Sequence, residues 1–275
     1  MIEYEHLSKG KVVYEFINPN ENEQLEMQAQ QAGIGPIIVN VTKRDKVEQM
    51  RAYMGAMIQM DERKEIIPVI QPGFAMEYAL TTAIKKLSIL QKPKIAFLQG
   101  HGEPSKNASL QVVEKLSVLH DVEDYAINDT LDIPTEYKAI AIINPTDTFP
   151  PDHLNKLDKY IGSGGGLYIA LSRVKADLNT LMLRKGDSLG LENWLSKKGI
   201  TIEEDFLTDI NCGAVTAMQN LGAFRLPVQI KFHYFPIIGD FADHLITEGI
   251  ESLFLPFVSS ISYSSGDTNI RIIPL

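Results

Sequence analysis

Residues 94–103 read KIAFLQGHGE. The run over residues 94–98 is almost continuously apolar, which is typical of a strand buried on both faces of a parallel sheet. The chain then becomes polar and glycine-rich, in Gly100, His101, Gly102 and Glu103. Open α/β sheets bind their ligands at the carboxyl ends of the strands. The segment therefore predicts an α/β fold with a candidate binding edge at these four residues.

The C-terminal side of this segment alternates between strand and helix patterns. Strands are predicted over residues 122–126, 139–143 and 167–171, the last as a central strand. Helices are predicted over residues 105–119, 151–163 and 189–198. The last third, from Cys212 onward, is β-rich, with strand candidates at residues 228–234 and 252–262. This alternation predicts a parallel-sheet domain over residues 92–275 with a β-rich C-terminal part.

The N-terminal side predicts a second α/β domain, over residues 1–91. It opens with a β-α-β pattern: a strand over residues 11–17, a helix over 21–32 and a strand over 37–41. A helix-like start near Lys46 leads into a hairpin that turns at residues 60–65, although the same methionine spacing also suits a strand. The clearest helix covers residues 73–90. The sequence QKPK at residues 91–94 ends it, and we place the domain boundary there.

Composition excludes several classes of protein. The chain has 275 residues, and 26 Lys and Arg against 35 Asp and Glu give a formal charge of −9. That balance argues against a nucleic-acid binder, which needs a basic face. One cysteine, Cys212, excludes an internal disulfide and a multi-cysteine zinc site. The longest apolar runs are far shorter than the about 20 residues that span a membrane. We therefore expect either a cytosolic protein or a soluble piece of a longer chain.

Two places carry candidate chemistry. His101 has the chemistry of a general base or a metal ligand, with Glu103 to orient it, and the alternative is a tight turn whose side chains bond nearby backbone groups. A metal site needs three or four converging ligands, and the sequence has no His-x-His or His-x-x-x-His spacing, so no metal and no cofactor are predicted. Cys212 is a candidate thiol sensor, and burial would exclude that role because reactive thiols need exposure.

Four segments occur in an order and spacing that resemble a known family. They are residues 14–19, 77–87, 94–103 and 253–261. They make nearly the whole chain similar to the gliding-motility-associated ABC-transporter auxiliary proteins, which are often described as substrate-binding-like. Residues 100–103 are the most specific part of the resemblance.

The resemblance implies a place and partners for the protein. It implies the soluble extracytoplasmic region of a protein anchored in the inner membrane of Bacteroidetes-type bacteria, and therefore a periplasmic location. It also implies an ABC permease and ATPase as partners, in gliding or in export across the envelope. The second domain would have a glutamine-amidotransferase-like (flavodoxin-like) fold, and the first a thioredoxin-like fold that lacks part of its start.

Both implied folds lack their usual nucleophiles in this chain. If the strand over residues 167–171 feeds the amidotransferase elbow, Ser172 and Arg173 follow it and no cysteine does. The first domain has no cysteine at all, so the Cys-x-x-Cys of thioredoxins is missing. We therefore expect a non-enzymatic module with no catalytic residues. Fold alone does not establish function.

A ligand or a partner protein is expected to bind at the carboxyl edge. The candidate residues are Gly100, His101, Gly102, Glu103, Asn144 and Ser172. The alternative is a hydrolase or carbohydrate-active enzyme that uses His101 and Glu103, with Ser172 nearby. The direction of the two side chains discriminates between these hypotheses, because an enzyme needs them turned toward solvent and not onto the core or the backbone.

Overall fold

The computed structural model describes residues 1–43, 46–70, 74–177, 180, 182–221, 224–264 and 270–275. These residues form a mixed α/β structure with a four-stranded parallel sheet and further antiparallel pairs. The chain divides into two units, Met1–Lys92 and Pro93–Leu275. Within the described ranges, no helix combines the length and the apolar character that crossing a bilayer requires.

The described residues of the first unit form three helices and two hairpins. The helices are α1 (Ile2–Leu7), α2 (Glu23–Gln31) and α3 (Phe74–Ser88), with a 3-10 turn at Pro19–Glu21. The strands are β1 (Ile37–Lys43), β2 (Lys46–Ala52), β3 (Ala56–Met60) and β4 (Arg63–Ile67), paired antiparallel as β1–β2 and β3–β4. The side chain of Asn22 caps α2 by accepting the Leu25 N–H at 2.9 Å.

The helix predicted over residues 73–90 is confirmed as α3, although Gly73 itself lies outside the described residues. Leu80, Ala83 and Leu87 lie on one face of this helix and are buried. The predicted hairpin at residues 60–65 is confirmed as β3–β4, and it turns at Asp61, whose φ is +55°. The helix and the hairpin pack against each other.

Two predictions for this unit are wrong. Residues 11–17 form no strand, because no described strand pairs with them, and Val13 and Phe16 are exposed. The segment from Lys46 is not helical, because it pairs with β1 along its whole length as β2. The described residues therefore have no β-α-β crossover at this end of the chain.

The second unit is built on a parallel sheet with the strand order β6-β5-β7-β8. The strands are β5 (Lys94–Gln99), β6 (Asp121–Ala126), β7 (Tyr137–Ile143) and β8 (Gly166–Ala170). The helices are α4 (Leu110–Ser117), which follows a 3-10 turn at Lys106–Ser109, α5 (Pro151–Gly162) and α6 (Leu191–Ser196). The predicted central strand over residues 167–171 is instead an edge strand of this sheet, because β8 pairs only with β7 among the described strands.

The core of this unit lies where β5 and β7 meet α5 and α6. Its most buried members are Ala96, Leu98, Ile140, Ile142, Leu157, Tyr160 and Leu191. Alternate residues of β7 enter the core, and Leu157 and Tyr160 present the inner face of α5. The Tyr160 hydroxyl donates to the Tyr137 carbonyl at 3.0 Å, so the one buried polar group of that ring has a partner.

Seven further strands follow among the described residues, and the last four, from Cys212 onward, confirm the predicted β-rich end. These are β9 (Val174–Asp177), β10 (Met182–Lys185), β11 (Ile200–Ile202), β12 (Cys212–Leu221), β13 (Phe224–Ile238), β14 (Leu253–Phe254) and β15 (Ile261–Tyr263). They pair antiparallel as β9–β10, as β11–β15 and in the order β12-β13-β14. The single strand predicted over residues 252–262 is divided, because Phe257 between the two short strands has a left-handed φ of +53°.

Candidate functional site

The segment after β5 turns back tightly at the carboxyl edge of the sheet. Gly100 and Gly102 have φ values of +108° and +77°, which glycine adopts without strain. A Cβ atom on Gly102 would lie 1.9 Å from Thr146 Oγ1, so the site requires glycine. The carbonyl of His101 accepts the N–H groups of Thr146 at 2.9 Å and Asp147 at 2.8 Å. These bonds fasten the loop after β5 to the loop after β7.

His101 and Glu103 point inward. The His101 side chain is 2% exposed, and its ring stacks on Phe149 at a centroid distance of 3.8 Å. Glu103 Oε2 accepts the backbone N–H of His101 at 2.7 Å. Glu103 Oε1 lies 3.3 Å from His101 Nδ1, an ion-pair contact that is not aligned as a hydrogen bond. The two residues form a closed, buried pair.

The pair continues outward through two residues that the sequence analysis did not select. His101 Nε2 lies 2.9 Å from Nδ1 of His153, in the first turn of α5. His153 Nε2 lies 2.9 Å from Oδ1 of Asp129, whose side chain is exposed. The position of His153 in the sequence was the one signal for it. The helix that carries it follows a strand parallel to β5, and such a helix begins at the edge of the sheet where β5 ends. The result is a chain of four titratable side chains, Glu103–His101–His153–Asp129.

At both ends of this chain of side chains, the contacts stabilise the ionised form of a carboxyl group. Burial raises the pKa of the Glu103 carboxyl, but its contacts with the side chain and backbone N–H of His101 outweigh burial, and the pKa lies below its usual value. The hydrogen bond from His153 lowers the pKa of Asp129. The lowered pKa values keep both carboxyl groups ionised at neutral pH.

This arrangement turns the side chains of His101 and Glu103 away from any substrate at the surface. Both His101 nitrogens face protein groups, and the ring is buried. Lys156 donates to the Asn128 carbonyl and so holds the loop that carries Asp129. In the part of the chain that the structure describes, no three His, Cys, Asp or Glu residues are grouped to hold a metal ion.

The other candidate residues of the edge make separate contacts. Asn144 is exposed, has a φ of +43°, and donates its N–H to the Ala170 carbonyl at 2.8 Å. The Ser172 hydroxyl donates to the Phe257 carbonyl at 3.2 Å. The Arg173 N–H donates to Ser259 Oγ at 3.0 Å. Ser172 therefore fastens the chain after β14 to the end of β8.

Cys212 lies at the start of β12 and is half-buried, so burial does not exclude a thiol sensor. Its Sγ lies 3.8 Å from His233 Nδ1. That nitrogen also lies 2.9 Å from the Asp209 carbonyl, which only accepts, so it carries a hydrogen and cannot take the thiol proton. His233 is therefore not an activating base for this cysteine.

Family models match both parts of the chain. A family model described as an ABC-type uncharacterized transport system matches residues 92–275, and a model for a domain of unknown function matches residues 1–59. The chain belongs to this ABC-type transport system family, whose role is an auxiliary one in transport.

Two further comparisons give no support for a particular fold or function. No curated protein matches the chain. A solved structure titled "mmIFT52 N-terminal domain" is 17% identical over 63% of this chain and 69% of that chain, with a TM-score of 0.41. This likeness is too low to support an argument about fold or function.

Proposed function

We propose that the protein is a non-enzymatic, substrate-binding-like auxiliary component of an ABC transport complex, with the permease and ATPase as partners. The match of the transport-system family over residues 92–275 carries this proposal. We further propose that it acts at the extracytoplasmic face of the inner membrane, anchored through chain outside residues 1–275, in gliding motility or envelope export. These finer statements rest on the resemblance of residues 100–103 and the accompanying segments.

The geometry of the carboxyl edge supports binding over catalysis. His101 and Glu103 are buried, and Glu103 is turned onto a backbone N–H. A hydrolase would need at least one of them within reach of a substrate. Gly100 and Gly102 are exposed, so the edge offers backbone, and a rigid loop, to a partner. The alternative of a hydrolase or carbohydrate-active enzyme is therefore not the function we propose.

The strand order supports the fold that we propose for residues 92–275. Numbered within its own sheet, β6-β5-β7-β8 is the order 2-1-3-4, with which the flavodoxin-like topology begins. That topology includes the amidotransferase-like fold implied by the resemblance. The described strands of the first unit form antiparallel hairpins only, so the thioredoxin-like assignment stays a prediction without support from its sheets.

Co-purification tests the proposal. The tagged protein would be expressed in its own host, extracted in mild detergent, and analysed by mass spectrometry for associated subunits. Two matched variants place the same new side chain at opposite ends of β7: Thr148→Arg follows the carboxyl end, and Thr135→Arg precedes the amino end. Both threonines are exposed, so neither change disturbs the core.

We expect the permease and ATPase to co-purify with the wild-type protein and with Thr135→Arg, and to be lost with Thr148→Arg. If no transporter subunit co-purifies with the wild type, the transport role that we propose is wrong. If Thr148→Arg retains the subunits as well as Thr135→Arg does, the carboxyl edge is not the binding surface.

A further inference from the structure

The hairpin of β12 and β13 has two chemically different faces. Side chains alternate between faces along a strand, so every second residue of β13 lies on the same side. One face is apolar: Phe224, Leu226, Val228 and Ile230. The other face is polar and basic: Arg225, Pro227, Gln229 and Lys231. The register places Val215, Ala217 and the polar Gln219 of β12 on the same side, so β12 extends the apolar face in part.

The apolar face is uncovered toward the end of the hairpin. Phe224 is 73% exposed, and Leu226 and Ile230 are each 50% exposed, so the described chain leaves at least half of each of these residues uncovered. The base of the hairpin is anchored, because Phe235 is buried and contacts Phe254 and Phe257 edge-on. A two-stranded hairpin with an uncovered apolar face is marginally stable by itself in water. The hairpin is therefore an arm that is anchored at its base and exposes an apolar face toward its other end.

The charge of the arm identifies the kind of surface that it fits. Residues 210–239 contain no Asp or Glu, although the whole chain has a formal charge of −9. Arg225 and Lys231 are both exposed on the arm. They lie on the face opposite the apolar one, and their long side chains can reach past the edge of a two-stranded sheet toward the headgroups of a bilayer. Apolar residues flanked by cations match an anionic phospholipid surface, which takes the apolar groups below the headgroups and attracts the cations.

A second copy of the chain is a poorer occupant. Two strands of about eight residues cover roughly 300 Å² at the strand spacing and rise of a β-sheet. Two such faces together bury much less than the about 1,200 Å² of a stable interface. A bilayer has no such minimum, and it needs no shape complementary to a flat sheet.

We propose that the β12–β13 arm docks the protein on an anionic phospholipid bilayer through Phe224, Leu226 and Ile230. The proposal does not depend on the transport role.

Vesicle co-sedimentation of the purified chain, residues 1–275, tests the proposal. The probes are vesicles of phosphatidylcholine alone and vesicles in which a third of the lipid is phosphatidylglycerol. The variant F224S/L226S removes two apolar groups from the face. The matched control is Met218→Ser, because Met218 is 58% exposed but lies opposite Pro227, on the other face. Circular dichroism and thermal unfolding check that each variant is folded.

We expect the wild type to bind the anionic vesicles, with at least about tenfold weaker binding for F224S/L226S and less than about twofold change for Met218→Ser. R225Q/K231Q should weaken binding by about fivefold for each charge on anionic vesicles and change nothing on neutral ones. The proposal is overturned if the folded wild type sediments with neither vesicle, or if F224S/L226S binds as the wild type does. Arm-dependent dimers without vesicle binding would also overturn it, in favour of an interface between copies.

Discussion

The carboxyl edge of the parallel sheet and the β12–β13 arm differ in the kind of side chain that each one buries or exposes. The edge buries a histidine and a carboxylate and gives each a partner. The arm exposes phenylalanine, leucine and isoleucine side chains. Buried charges are tolerated only when they are paired, so the edge is built for rigidity. Exposed apolar side chains in a contiguous face indicate a surface that awaits a partner. Substitutions of the buried pair at the edge should therefore change stability, and substitutions of the apolar face of the arm should change binding to a membrane.

Removing the histidine of the edge should have the largest effect on stability. His101→Leu leaves the Glu103 carboxylate buried without its partner, which should lower the free energy of unfolding by about 3–5 kcal/mol. Chemical denaturation measures this loss. The double variant H101L/E103Q removes the charge and keeps an acceptor for the backbone N–H, so it should recover part of the loss. Equal losses in the single and double variants would show that the buried charge is not the cause.

Alanine substitutions of the two glycines at the edge distinguish the cost of backbone strain from the cost of a steric clash. Gly102→Ala should lower the free energy of unfolding by about 1–3 kcal/mol, because it combines a left-handed backbone with contact against Thr146. Gly100→Ala has a positive φ as well but meets no atom within 4 Å, so it should cost less. Thermal unfolding of the two variants measures the difference. A larger loss for Gly100→Ala would contradict the described packing of the loop.

The edge should also make stability depend on pH. The pKa of Glu103 is lowered in the folded protein, so its ionisation stabilises the fold at any pH above the ordinary value of 4.5. That contribution is lost as the pH falls through the lowered pKa. Denaturation measured from pH 7 downward should show a drop that Glu103→Gln reduces. The control Glu114→Gln, at an exposed position of α4, should leave the profile unchanged.

The arm should give the smallest change in stability. Ile230→Ser alters a half-exposed side chain and should change the free energy of unfolding by less than about 0.5 kcal/mol. Leu98→Ala, in the buried part of β5, should cost about 2–5 kcal/mol. Denaturation of both variants makes the comparison quantitative. A loss of more than about 2 kcal/mol for Ile230→Ser would mean that the apolar face of the arm is covered within the protein.

Local patterns were enough to predict the elements around β5. The apolar run of β5 and the apolar face of α3 are carried by consecutive residues, so the sequence alone indicates them. Residues 11–17 have the composition of a strand, but strand formation needs a partner, and no local pattern reveals whether one exists. The edge position of β8 has the same origin, since strand order is set by tertiary pairing.

The sequence indicated only two of the four side chains of the candidate site, those of His101 and Glu103. The glycines around His101 indicated a turn, and Glu103 indicated a partner two residues away. His153 and Asp129 are 52 and 24 residues from their contacts, so the fold alone brings them to the histidine pair. The burial of His101 depends on Phe149, which belongs to the loop before α5. Contacts of this kind require the sheet order and the helix position to be known first.

Site-specific photo-cross-linking in the native host tests the central claim most directly. A photoreactive residue at position 148 lies beside the carboxyl edge, and one at position 135 lies at the opposite end of β7. The account predicts an adduct with the permease from position 148 and none from position 135. No permease adduct from either position, or equal adducts from both, would contradict a transport auxiliary that binds its transporter through this edge.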